Sequence, residues 1–323
     1  MAQRSLINIA SLDSEELDWL FETADWFLPQ VEQGGFKSAA LKGTSTILLF
    51  FEPSTRTRVS FELAGKMLGS DTINVGAKGS SSEKGESIRD TALTLAAMDN
   101  NVVVMRHASA DAVELFAANF DRSVINAGAG RGQHPTQALL DGYTLHREGL
   151  FKAGRHVAIC GDIANSRVMR SDIMLLLKQG INVTLVAPPS LMPDGWEGLQ
   201  PDRWAPVSIG FGRLNWSAGI DEALPELDAV MLLRMQRERM DAGQITNLDE
   251  YNKVWGINKR RLKLLPEHAV IMHPGPVNRG VELGQDAFDD PRCRINTQVT
   301  SGLAVRCALL CWACGRDPRG GAA

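Results

Sequence analysis

Ser54, Thr55, Arg56, Thr57 and Arg58 follow an apolar run, Thr46 to Phe51, with Glu52 and Pro53 between. The segment after them, Val59 to Leu68, places apolar side chains at helical spacing, so Ser54 and Thr55 open a helix. A helix start presents unpaired N–H groups and the positive end of the dipole, and both attract an anion such as phosphate. Arg56 and Arg58 add guanidinium groups that stay charged and match phosphate oxygens with a planar fork. The same residues also fit a capped helix carrying two solvated arginines, because Ser and Thr are common caps.

Four further motifs carry groups of the same kind: Met105-Arg106-His107, His134-Pro135-Thr136-Gln137, Arg234 to Arg239, and His273-Pro274-Gly275-Pro276-Val277-Asn278-Arg279. Arg106 closes an apolar strand, Val102 to Met105, and strand ends are where ligands meet parallel sheets. His134 precedes Pro135 at a helix start, where the positive dipole disfavours imidazolium, so it reads as a neutral donor rather than a general base. Gln137, one turn later, lies on the same face.

Read together and in this order, the five motifs resemble the transcarbamoylase family, over about Leu6 to about Leu310. The resemblance implies that Ser54, Thr55, Arg56 and Thr57, aided by Arg106, bind the phosphate of carbamoyl phosphate. It implies that Thr57, Arg106 and His134 donate to the carbonyl oxygen as it gains charge, and that Gln137 takes the carbamoyl amide. Arg167, Arg234 and Gln236 are the implied holders of aspartate, two guanidiniums suiting its two carboxylates. Backbone at Pro274, Gly275 and Pro276 is implied to lie against both substrates; leucine is common at the Gly275 position in some members. Ser80 and Lys84, in a polar segment from Gly76 to Ser87, are implied to reach the active site of a neighbouring chain, giving a homotrimer with shared sites. Without the resemblance that segment reads as a solvated loop. Arg56, Thr57, Lys84, Arg106 and His134 form the expected catalytic set.

An amine attacking the carbonyl directly needs no Ser-His-Asp or Cys-His nucleophile, so placement and charge carry the chemistry. A family member using ornithine is the rival reading. It would be expected to carry an Asp and a Ser-Met-Gly for the amine and a His-Cys-Leu-Pro loop, where this chain has Arg234-Met235-Gln236 and His273-Pro274-Gly275-Pro276. A non-catalytic anion-binding subunit would show a damaged motif, and each motif position is intact.

The elements that must hold these groups alternate along the chain. Asp13-Ser14-Glu15-Glu16 signals a capped helix over 14–31. Strands are expected at Thr46 to Phe51, Thr72 to Val75, Asn101 to Met105 and Ser123 to Asn126, with a long helix from Gln133 to Glu148. A second set of strands runs His156 to Cys160, Ile181 to Val186, Ala229 to Leu233 and Ala269 to Met272, and a last apolar helix spans Thr297 to Cys314. The fold expected is α/β, with two doubly wound domains, each a central, mostly parallel sheet flanked by helices. Residues 1–137 with 293–323 are expected to bind carbamoyl phosphate, and residues 138–292 aspartate. The resemblance implies that the last helix returns to the amino-terminal domain.

The 323 residues suffice for two such domains, and the composition, 44% hydrophobic and 22% charged, is that of a globular protein. A net charge of −4 argues against a general nucleic-acid binder, so small anionic partners fit better. No Gly-x-Gly-x-x-Gly or Walker loop is present, no metal-ligand cluster is evident and no cofactor is expected. Five cysteines fit reduced thiols, and Cys307, Cys311 and Cys314 share one face of the last helix, packing as small hydrophobes. The amino terminus lacks the apolar core of a signal peptide and no run has the length of a membrane span, so a cytoplasmic protein is expected. Whether trimers stand alone, pair with zinc-bearing regulatory chains or join dihydroorotase stays open.

Overall fold

The structure, a computed structural model, describes residues 4–76, 85–98, 100–193, 212–217, 219–236 and 248–320. The chain divides into two compact units, Met1–Leu140 with Val299–Ala323, and Asp141–Gln298. In the first, β1 (Ser45–Phe50), β2 (Asp71–Gly76), β3 (Val102–His107) and β4 (Ser123–Ala129) form a parallel sheet in the order β2-β1-β3-β4. Its helices are α1 (Ser14–Gln33), α2 (Thr55–Leu68), α3 (Ile88–Ala96) and α4 (Ala112–Ala117). The chain passes from β1 to β2 on one side, then crosses back to β3 on the other. That reversal is a topological switch point, and its carboxyl-end crevice is where open α/β sheets take ligands.

Local chemistry explains the elements. Asp13 Oδ1 accepts the Glu16 N–H at 2.8 Å and Glu16 Oε2 accepts the Asp13 N–H at 3.1 Å, the reciprocal box expected at the start of α1. The helix runs to Gln33, past Pro29, and stops at Gly34. Val102 to Met105 are wholly buried, as the central strands of a parallel sheet must be.

Two helices, α5 (Pro135–Arg147) and α6 (Arg167–Lys178), precede and follow β5 (His156–Cys160). The second sheet continues with β6 (Asn182–Val186), β7 (Leu214–Ser217), β8 (Ala229–Leu232) and β9 (Val270–Met272), parallel in the order β7-β6-β5-β8-β9. Short helices α7 (Ile220–Ala223), α8 (Leu248–Trp255), α9 (Lys259–Leu262) and α10 (Gln285–Phe288) lead to α11 (Ile295–Ala313). Strand alternation divides the core between the two faces: Val157 and Ile159 join one apolar cluster, Ala158 and Cys160 the other.

The fold is the expected pair of parallel α/β sheets with helices around them. Strand β7 is an addition, short and partly exposed at a sheet edge, with Asn215 and Ser217 interrupting any apolar run. The chain passes between units inside α5 and α11 rather than in linkers. Residues of α11 beyond Gln298 belong to the first unit, where Ser123 Oγ donates to the Ala313 carbonyl at 2.7 Å. Cys307 and Cys311 are buried on this helix, and burial pushes the Cys307 thiol up to about 12.

Candidate active site

Three neighbouring strand ends of the first sheet supply the phosphate-half candidates. β1 ends at Phe50 and the chain reaches Ser54 at the cap of α2, whose side chain makes no capping hydrogen bond. Arg58 N–H to Ser54 O, at 3.3 Å, is the first intrahelical bond, so the turn carrying Thr55, Arg56 and Thr57 is the one whose N–H groups the helix itself cannot use. Thr57 is buried and Arg56 exposed. Arg106 stands opposite Phe50 in the β1–β3 register, and the Phe51 N–H donates to its carbonyl at 2.9 Å. The β3–β4 pairing slips between Met105 and His107, so the register shift falls at Arg106. Its guanidinium lies 3.3 Å from Glu52 Oε2, with both side chains mostly buried, and Nη1 donates to the Ala127 carbonyl at 3.5 Å.

His134 and Gln137 follow the third strand, β4. His134 caps α5: its carbonyl accepts the N–H groups of Gln137 and Ala138 at 3.0 and 3.2 Å, and its buried Nδ1 lies 3.4 Å from Thr136 Oγ1. Next to Arg106, burial lowers the pKa of the His107 imidazole against the opposing pull of the Glu52 carboxylate.

The second unit repeats the arrangement with β5, β8 and β9. Gly161 follows β5 with φ 126°, and a Cβ there would stand 2.8 Å from the Leu233 carbonyl, so only glycine lets the two strand ends close up. Asp162 is completely buried. Its Oδ1 accepts Asn165 Nδ2 at 2.9 Å, and its Oδ2 accepts the Gln236 N–H at 3.1 Å. Gln236 Nε2 in turn donates to the Asn165 carbonyl at 3.1 Å. Thus Arg167, the buried first residue of α6, and the Arg234–Gln236 segment after β8 are bound into one loop cluster at the β5/β8 switch point.

Pro274, Gly275 and Pro276 follow β9. Gly275 has φ 68°, its N–H donates to His273 Nδ1 at 2.8 Å, and the Gly275–Pro276 peptide is cis. Glu282, 1% exposed, accepts the Met235 N–H at 2.7 Å and Asn278 Nδ2 at 2.8 Å through Oε1, and the Asn278 N–H at 2.8 Å through Oε2. One buried carboxylate therefore ties the β8 loop to the β9 loop.

Two family models match the chain: Aspartate/ornithine carbamoyltransferase, carbamoyl-P binding domain, over residues 4–147, and Aspartate/ornithine carbamoyltransferase, Asp/Orn binding domain, over residues 153–313. The chain belongs to the aspartate/ornithine carbamoyltransferase family. It is 46% identical to the aspartate carbamoyltransferase catalytic subunit of Acidothermus cellulolyticus, over 95% of this chain and 91% of that one. Its fold is similar to Trypanosoma cruzi aspartate transcarbamoylase in complex with carbamoyl phosphate and aspartate (TM-score 0.84, 31% identity, 95% and 96% of the chains covered). It is also similar to ornithine carbamoyltransferase from Thermus thermophilus (TM-score 0.79, 25% identity, 97% and 99% covered). Both branches of this carbamoyltransferase family share the fold, so the substrate must be argued from the loops.

Ser54 to Thr57, Arg106, His134 and Gln137 thus gather at strand ends of the first unit, and Arg167, Arg234, Gln236 and Pro274 to Pro276 at strand ends of the second. Ser80 and Lys84 lie outside the described residues, as does the Arg234 motif beyond Gln236. Glu52, Asp162 and Glu282 are further carboxylates at these loops. Glu52 sits inside the hydroxyl and guanidinium motif itself, and Asp162 inside the Gly161–Arg167 segment, so an acid placed among candidate cationic residues was the available signal. Glu282 stands apart from any motif. Among the described residues no cluster of His, Cys, Asp and Glu could hold a metal ion, and no helix is long and apolar enough to cross a membrane.

Proposed function

We propose that this chain transfers the carbamoyl group of carbamoyl phosphate to the amino group of L-aspartate, giving N-carbamoyl-L-aspartate and phosphate, an early step of de novo pyrimidine biosynthesis. The observation that carries this reading is the pair of switch points. One offers an uncapped helix start beside Arg106; the other offers Arg167 and Arg234 beside Gln236. The first unit takes carbamoyl phosphate: Ser54, Thr55, Arg56, Thr57 and Arg106 receive the phosphate, and Gln137 the amide. Thr57, Arg106 and His134 donate to the carbonyl oxygen, where preorganised donors act most strongly. The second unit holds the two aspartate carboxylates through Arg167, Arg234 and Gln236, with the Pro274–Pro276 backbone alongside.

The amine nitrogen bonds to the carbonyl carbon, the bond from that carbon to the phosphate oxygen breaks, and the amine proton passes to the departing phosphate. The enzyme works as a cytoplasmic homotrimer in which Ser80 and Lys84 complete a neighbour's site. Support comes from the open edge of the first sheet, where Val59 and Leu63 on α2 and Ile73 on β2 are 44%, 46% and 49% exposed. Lys84→Gln is expected to abolish turnover with folding intact; an active variant refutes site sharing.

The deciding experiment gives the purified chain labelled carbamoyl phosphate with aspartate or ornithine in parallel. Carbamoyl aspartate is expected. Citrulline overturns the roles of Arg234 and Gln236, and no product from either amine overturns the reaction as one this chain performs alone.

A further inference from the structure

Asp141 is the residue at which the chain enters the second unit, and Gln298 the one at which it leaves. Both are nearly completely buried, and Gln298 Nε2 donates to Asp141 Oδ1 at 2.7 Å. The other end of the same amide, Oε1, accepts the His273 N–H at 2.9 Å. His273, also buried, accepts the Gly275 N–H on Nδ1 at 2.8 Å. An unbroken line of three hydrogen bonds thus runs from the unit's entry and exit to the loop after β9.

The polarity of this line is forced. A backbone N–H can only donate, so Nδ1 of His273 is an acceptor, and in the neutral ring the proton sits on Nε2, 3.8 Å from Glu282 Oε2. The His273 N–H likewise fixes Gln298 Oε1 as acceptor, which turns the amide nitrogen toward Asp141 and requires a carboxylate oxygen there. Burial, together with the neighbouring Asp141, holds the Asp172 carboxyl well above the usual carboxylate range. Gly275, in the left-handed region, is tethered by this line on one side, and Glu282 fixes the loop again at Asn278.

We propose that Asp141, Gln298 and His273 are positioning residues of the transfer reaction, a buried relay that sets the Pro274–Gly275–Pro276 backbone against the substrates. The inference rests on the carbamoyl-transfer reading above. None of the three need touch a substrate; they act through the N–H of Gly275 and the path of the loop, where a displacement of about 1 Å can cost about 10²-fold in rate.

The test compares His273→Leu, His273→Asn and Gln298→Met with the parent chain. Asparagine carries an acceptor where Nδ1 stands, leucine carries none, and methionine fills the glutamine's space without its donor or acceptor. Steady-state kcat and the KM for aspartate are measured beside the affinity for inorganic phosphate and the thermal midpoint. Gln298→Met and His273→Leu are expected to lower kcat/KM for aspartate by about 10- to 100-fold with phosphate affinity retained, and His273→Asn to recover most of the loss. If His273→Leu does not fold, His273→Gln, whose acceptor is set one methylene farther out, replaces it in the contrast with His273→Asn. An active parent with kinetically silent variants overturns the relay alone, as does failure of His273→Asn to recover. A parent that makes no carbamoyl aspartate overturns the relay together with the functional reading.

Discussion

The two units carry the same topological device and use the helix behind it in opposite ways. At the β1/β3 switch point Ser54 leaves the start of α2 uncapped. At the β5/β8 switch point Ser166 Oγ accepts the Met169 N–H at 3.2 Å and closes the start of α6 with the protein's own side chain. Backbone donors and a helix dipole suit a compact phosphate. Two carboxylates spaced along an amino acid suit separate guanidiniums; Arg167 opens α6, and Arg234 precedes the Met235–Gln236 backbone that Glu282 and Asp162 hold in place. An open and a closed helix start, read beside the arginines, are therefore the contrast on which the proposed division between phosphate and aspartate rests.

The hardest test of this contrast is Arg106→Ala. Loss of a donor to the developing oxyanion is expected to lower kcat by about 10²- to 10³-fold, roughly 3 kcal/mol, with little change in the KM for aspartate. A rise in that KM as large as the fall in kcat would break the division of labour. Arg234→Ala should do the converse. A charged hydrogen-bond pair lost there, worth about 1.5–3 kcal/mol, lowers kcat/KM for aspartate by about 10- to 100-fold, while calorimetric titration with inorganic phosphate gives an unchanged affinity. The smallest and sharpest pair is Ser54→Ala against Ser166→Ala. Urea unfolding is expected to show about 1 kcal/mol lost at Ser166, a working cap, and close to none at Ser54. Phosphate affinity should fall only in the Ser54 variant. Equal destabilisation by both would mean that the two helix starts do not differ.

Much of the architecture was legible because buried parallel strands are written as unbroken apolar runs, as in Val102 to Met105 and Val157 to Cys160. Strand β7 was not, since an edge strand needs apolar residues on only part of its surface and Asn215 and Ser217 satisfy it. The passages between units were equally silent: α5 and α11 are continuous helices, and a helix interior carries no linker composition. Among site residues, those that stand beside a helix start or a strand end could be placed from their own neighbours. Glu52 and Asp162 at least stand inside such segments, whereas Glu282 could not be placed this way. Glu282 is joined to Met235 across 47 positions of chain, a relation that no local spacing encodes.

The split first unit also orders the birth of the protein. Residues 299–313 supply it with Val305, Cys307, Leu309, Leu310 and Trp312, all buried, and a ribosome releases them only after the whole of 141–298. The nascent chain can therefore complete its second unit while the first, though synthesised earlier, still waits with an unfilled apolar surface for its closing helix.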